Sequence, residues 1–208
     1  MSDQVVEGRL QLRKKPQQER SIQRLEAILE AAIELFVEKG IAETTMSEIA
    51  QRAGISIGSL YQFFPQKAAV IKAVHDRFSG QLEDFIRQIF AGVQTLDEAA
   101  DRAAESLIEL HALFRRQRIY MALWKAIVTD RDLSQLSGDF HEQIIASFYR
   151  DLSHIIPQHD FERFRVNLKL MILATGEVIR FATQQPDHIA RNHLDQWRRI
   201  IKASVFAY

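Results

Sequence analysis

Residues 44–65 read TTMSEIAQRAGISIGSLYQFFP, and this stretch carries two helix starts and two stops in close succession. Thr45 stands three residues ahead of Glu48, the spacing at which a threonine hydroxyl and a glutamate carboxylate satisfy each other's free backbone N–H groups. Gly54 sits where a helix C-terminus favours the left-handed conformation. Ser56 then offers a second N-cap, and Pro65 disfavours helical backbone at Phe64. The spacing therefore predicts one short helix from Thr45 to near Ala53 and another over Ile57–Phe63. Two short helices joined by a tight glycine turn make a helix-turn-helix.

On the N-terminal side, Ile22, Leu25, Leu29, Ala32, Ile33 and Phe36 recur at three- and four-residue spacing, which predicts a helix over Ser21–Glu38 stopped by Gly40. On the C-terminal side the helices lengthen. They are read from Lys67 to about Phe90, Leu96 to Arg116, Arg118 to Val128, Leu133 or Gly138 to Ile155, Phe161 to Gln184 and Asp187 to Phe206. Breaks fall around Gly92–Thr95, Pro157 and Pro186. Alternation of period two is nearly absent, so no strands are expected. The expected fold is all-α: a flexible basic arm over residues 1–20, a three-helix head over 21–66 and a larger helical body over 67–208.

Of the 208 residues, 47% are hydrophobic, enough to bury a small head and a larger body without covalent staples. The absence of cysteine excludes disulfides, thiolate metal sites and cysteine nucleophiles. Met1–Leu12 lacks the basic-then-apolar order of a signal peptide. No purely apolar run, Leu170–Ala174 included, comes near the roughly 20 residues that span a bilayer. These readings predict a soluble, cytoplasmic protein without a membrane partner. A net charge of +0 argues against a generic polyanion binder, so any hold on nucleic acid must be local. Arg9, Arg13, Lys14, Lys15, Arg20 and Arg24 supply such a cluster against Glu19 alone. Two readings stand for this arm: a backbone or minor-groove contact, and a solvated tail.

No G-x-S-x-G, glycine-rich phosphate loop or cofactor fingerprint occurs, so neither an enzyme nor a bound cofactor is expected. The histidines lack the paired spacing of a metal site: His154 and His159 flank Pro157, and His188 and His193 are five apart.

Three runs, Ile28–Gly40, Thr44–Ala50 and Ala53–Phe64, followed by Lys67, together resemble the TetR family of bacterial regulators. The resemblance covers roughly Ser21–Val70. It implies a homodimeric repressor of double-stranded operator DNA, bound at a pseudo-palindrome and released by a small molecule of unspecified identity. The alternative is a DNA-binding structural or cell-division factor without a ligand switch.

A helix that enters the major groove needs a slender DNA side and an apolar anchor side. Ser56, Gly58, Ser59 and Gln62 suit the first requirement, and Leu60 and Phe64 the second. Gln62 has the donor and acceptor for a bidentate contact to adenine, and Ser59 reads ambivalently. The resemblance implies phosphate contacts from Tyr61, Lys67, Thr44 and Thr45. Ile57 and Phe63 depart from the family pattern, and for each both a DNA contact and inward packing remain open.

In the body, His111, Phe114, Tyr120, Trp124, Phe148, Glu177 and Arg180 are candidates to line a ligand cavity, each also readable as ordinary core. Glu177 and Arg180 lie three apart, and three roles are open: a buried pair, a bridge across a dimer, or selection of a charged ligand. The apolar breadth of Phe161–Gln184 and the stripe Ile189, Leu194, Trp197, Ile201 and Val205 point to a dimer seam on the last two helices.

Overall fold

The computed structural model describes residues 14–129 and 131–205. Their regular structure is helical, with no strand among the described residues. The order is α1 (Lys14–Glu38), α2 (Met46–Arg52), α3 (Ile57–Phe63), α4 (Lys67–Phe90), α5 (Leu96–Arg116), α6 (Ile119–Thr129), α7 (Arg131–Leu152), α8 (Phe161–Thr183) and α9 (Asp187–Ile200). Short 3-10 turns at Ser153–Ile155 and Gln158–Asp160 bracket Pro157, and a π-helical turn, Ile201–Val205, follows α9. The chain divides into two compact units, one ending at Val74 and the other beginning at His75.

The head closes around Ile28, Leu35, Phe36, Ile49, Leu60, Val70 and Val74, each at most 5% exposed. Burying a side chain as large as Phe36 contributes roughly 1.5–3 kcal/mol. Ile22, which the spacing placed on the buried stripe, is 54% exposed; the stripe closes only from Ile28 onward. The first turns of α4 belong to the head, because Val70, Ile71 and Val74 are core residues of that unit. The boundary thus falls beyond residue 66, where the sequence reading placed it.

The basic arm over residues 1–20 is corrected in part. Residues 14–20 are helical, and Pro16 sits in the opening turn of α1, where a missing N–H costs nothing. Residues 1–13 lie outside the described residues, as does Phe206 at the expected end of the last helix.

In the body, α9 packs on α8 and α5, and α8 packs on α5 and α7. Phe164, Leu168 and Ile179 of α8 are fully buried in this core with Ala104, Leu107 and Leu152. Helix α5 begins on a cap: the Thr95 hydroxyl accepts from the Glu98 N–H at 3.1 Å.

Candidate nucleic-acid interface and ligand cavity

The helix-turn-helix is set by its caps. Thr45 Oγ1 accepts from the Glu48 N–H at 3.3 Å, and Glu48 Oε2 accepts from the Thr45 N–H at 2.9 Å, so two orphan donors are satisfied reciprocally. Lys39 pairs with the same carboxylate. Lys39 and the two bonds from Thr45 hold the Glu48 carboxyl down at about 2. Gly54 turns the chain at φ 66°, a conformation that glycine adopts without strain. Ser56 Oγ then accepts from the Ser59 N–H at 3.1 Å and starts α3.

Helix α3 has two unlike sides. Leu60 is fully buried and Phe64, just past its end, is 7% exposed, while Ile57 and Tyr61 are 40% and 50% exposed. Gly58 and Gln62 are exposed beside them, and Ser59 and Phe63 are half-buried. Ile57 therefore turns outward, whereas Phe63 divides between packing and solvent. Ser56, at the cap, is exposed too.

Two of the residues expected at phosphates have their polar atoms engaged inside the head. Thr44 is 1% exposed, and its hydroxyl donates to the Gly40 carbonyl at 2.8 Å. Lys67 Nζ donates to the carbonyls of Ile41, Ala42 and Thr44 at 3.0, 2.9 and 2.9 Å. An ammonium has three hydrogens, and these three acceptors account for them. Lys67 is thus a clamp on the loop between α1 and α2. Thr45 remains exposed, but its hydroxyl is engaged by Glu48.

The body holds a cavity of about 330 Å³. Phe114, Tyr120, Trp124, Phe148, Glu177 and Arg180 all reach its wall. His111 does not: it is half-buried on α5, and its Nε2 is buried with no hydrogen-bond partner among the described residues. Burial first, and the Arg115 charge second, lower its pKa below the ordinary 6.5. The Phe114 and Tyr120 rings stack at 4.5 Å, Phe78 meets Tyr120 edge-on at 5.3 Å, and Phe148 tilts onto Phe90 at 4.7 Å. The Tyr120 hydroxyl donates to the Phe78 carbonyl, and burial pushes it up to about 12. Glu177 Oε2 accepts from Arg180 Nε at 2.9 Å and Nη2 at 2.7 Å, and the guanidinium lies 4.2 Å from the centroid of the Trp124 ring.

Sequence reasoning missed the wall that α4 supplies through His75, Phe78, Ser79, Leu82, Phe85 and Ile86. Their i, i+3, i+4 recurrence was visible, but periodicity says that a face is apolar and not whether that face meets a neighbour or an opening. His141 and Thr175 were missed for the same reason. Among the described residues, no cluster of three or more His, Asp or Glu is placed to hold a metal ion, and no helix is long and apolar enough to cross a membrane.

Comparison with known proteins agrees with these two units. The profile described as bacterial regulatory proteins, tetR family, matches residues 28–74, and that of the tetracyclin repressor-like C-terminal domain matches residues 95–207. The chain belongs to the tetR family of bacterial regulatory proteins, helix-turn-helix transcriptional regulators. It is 28% identical over 131 residues to the HTH-type transcriptional regulator TtgR of Pseudomonas putida, a match over 63% of this chain and 54% of that protein. With the HTH-type transcriptional repressor KstR2 of Rhodococcus jostii, identity is 31% over 122 residues, 55% of this chain and 58% of that one. The chain thus spans little more than half the length of these curated relatives. The fold is shared with Salmonella enterica GusR, at TM-score 0.70 and 19% identity over 88% of this chain and 96% of that chain. It is shared also with a TetR transcriptional regulator from Rhodococcus sp. RHA1, at TM-score 0.60 and 21% identity over 89% and 99%.

Proposed function

We propose that this protein is a homodimeric repressor that reads a pseudo-palindromic operator with α3 and releases it when a small molecule fills the body cavity. The observation that carries the reading is the two-sidedness of α3: Leu60 and Phe64 anchor it, while Ile57, Gly58, Tyr61 and Gln62 stand exposed side by side. A glycine keeps that surface low enough for close approach to base edges. Gln62 presents the donor–acceptor pair that matches adenine, Ile57 an apolar surface for a thymine methyl, and Tyr61 a hydroxyl for phosphate.

Homodimerisation is supported by Val166, Leu170, Leu173 and Phe181 of α8, which are 39–60% exposed on one face with Glu177 between the last two, and by Ile200 of α9, 44% exposed. A stripe of this kind buries its apolar surface by pairing with the same stripe on a second copy. In the dimer two α3 helices meet two half-sites, and a ligand that favours another head spacing lowers affinity for the pair.

The decisive measurement is fluorescence anisotropy against DNA upstream of the protein's own gene and a scrambled duplex, across a salt series. Specific binding is expected to exceed the control at least about a hundredfold. Gln62→Ala is expected to erode that ratio while leaving the scrambled duplex unaffected. Equal binding to both duplexes by the unaltered protein overturns the reading.

A further inference from the structure

The effector reading leaves the ligand's chemistry open, but the cavity wall narrows it. Its aromatic surfaces, Phe114 stacked on Tyr120 and Phe78 edge-on to the same ring, suit a flat apolar body. Of its hydroxyls, Tyr120 donates to the Phe78 carbonyl and Ser106 to the Ala103 carbonyl, Ser79 lies against the His75 ring, and Thr175 accepts from Trp197 Nε1 at 2.9 Å. Among the described residues, Arg180 is the one arginine or lysine on the wall.

The Glu177–Arg180 pair is asymmetric. The Arg180 side chain is 27% exposed and held over Trp124 at 4.2 Å, while that of Glu177 is 56% exposed. The cation is the fixed member, and the carboxylate is the more accessible of the two within the chain. Both bonds of the pair use Nε and Nη2 of Arg180, so Nη1 takes no part in it. We propose, resting on the reading of this cavity as the effector site, that it recognises an aromatic carboxylic acid whose carboxylate replaces that of Glu177 on Arg180.

The exchange trades one charge-assisted pair for another. An aryl acid adds ring burial to it, and the planar guanidinium fork matches a carboxylate in two-point contact. A neutral amide of the same shape gains the burial without the ionic bond. An ammonium of the same shape meets Arg180 as a like charge.

The experiment is calorimetric titration of the full chain with three near-isosteric probes: naphthalene-2-carboxylate, naphthalene-2-carboxamide and naphthalen-2-ylmethylammonium. The acid is expected to bind at least about tenfold more tightly than the amide, a gap of about 1.4 kcal/mol, with the ammonium weakest. R180Q is expected to reduce the acid's preference to about twofold or less while amide affinity stays within about twofold, which also reports an intact cavity. E177Q removes the competing carboxylate and is expected to tighten the acid about threefold without changing the amide. Equal affinity for acid and amide in the unaltered protein, an acid preference that survives R180Q, or weaker acid binding in E177Q overturns the proposal and leaves the cavity an effector site for neutral compounds. Failure of all three probes to bind overturns the effector site along with it.

Discussion

In the head, polar side chains are committed to the backbone of the same unit, whereas in the body aromatic side chains are gathered around space. Thr44, Thr45, Ser56 and Lys67 satisfy backbone groups that the turns between α1, α2 and α3 leave open. The body spends Phe78, Phe114, Tyr120 and Trp124 on the wall of a cavity of about 330 Å³. Close packing gives a structure one arrangement, and unfilled volume forfeits contacts that would stabilise it. The head is therefore the closely packed unit, and the body gives up contacts in return for room.

That contrast breaks most visibly under truncation. Phe36, 1% exposed in the head, is expected to cost about 3–5 kcal/mol on replacement by alanine, because no neighbouring space absorbs the change. Leu82, half-buried on the cavity wall, already borders a void, and Leu82→Ala is expected to cost about 1 kcal/mol. Urea denaturation of both variants checks the order, and a larger loss at Leu82 would mean that the body is packed as tightly as the head.

Lys67 sharpens the comparison next. If its ammonium serves the three carbonyls of Ile41, Ala42 and Thr44, Lys67→Met is expected to lose about 1.5–3 kcal/mol of stability. The salt dependence of DNA binding is then expected to keep its slope. A slope reduced by about one unit, with stability unchanged, would return Lys67 to the phosphate role that its place in the sequence pattern suggested.

The difference between Lys67 and its neighbours shows what could be read from the chain in advance. Thr45, Glu48, Gly54, Ser56 and Pro65 act within four residues of themselves, and local chemistry at fixed spacing is what a sequence displays. Lys67 reaches back to Ile41, 26 residues away, and nothing local marks such a bond. The cavity is less legible still. Tyr120, Trp124 and Arg180 were identifiable as candidates, yet His111 sits on the same kind of amphipathic helix and stays off the cavity wall. Helical spacing fixes a residue's face to within a quadrant, and a cavity wall is finer than that.

The caps come third in size. Ser56→Ala and Thr45→Ala each remove an acceptor from a helix start in the head, and each is expected to cost about 1 kcal/mol. Ser79, half-buried on the body's cavity wall, lies within a long helix and caps nothing, so Ser79→Ala is expected to change stability by less than about 0.5 kcal/mol. Thermal unfolding of the three variants makes the test. A loss at Ser79 equal to the losses at the caps would mean that a hydroxyl at a helix start counts for no more than one on the cavity wall.

The smallest effect separates the units by pH. Glu48 has its carboxyl lowered from 4.5 to about 2 by Lys39 and Thr45, so its charged form contributes stability above 4.5 that is lost as pH falls toward 2. His141 in the body is lowered from 6.5 chiefly by burial and secondarily by Lys169, against a smaller opposing pull from Glu142. The unfolded chain takes up that imidazole's proton first, so the contribution of His141 is lost as pH falls from 6.5. The body is thus expected to weaken in a window above the one in which the head weakens. Calorimetry at about pH 7, 5.5, 4 and 3 checks this with two variants, because each folded unit then has its own acid response. Glu48→Gln keeps the cap bond but not the charge, and its deficit relative to the unaltered protein is expected to vanish only between 4.5 and 2. His141→Gln is expected to flatten the change between about pH 7 and 5.5 and to leave the acid limb alone. If both variants act in the same window, the two units unfold as one, and the contrast between a closely packed head and a spacious body holds for their packing but not for their stability.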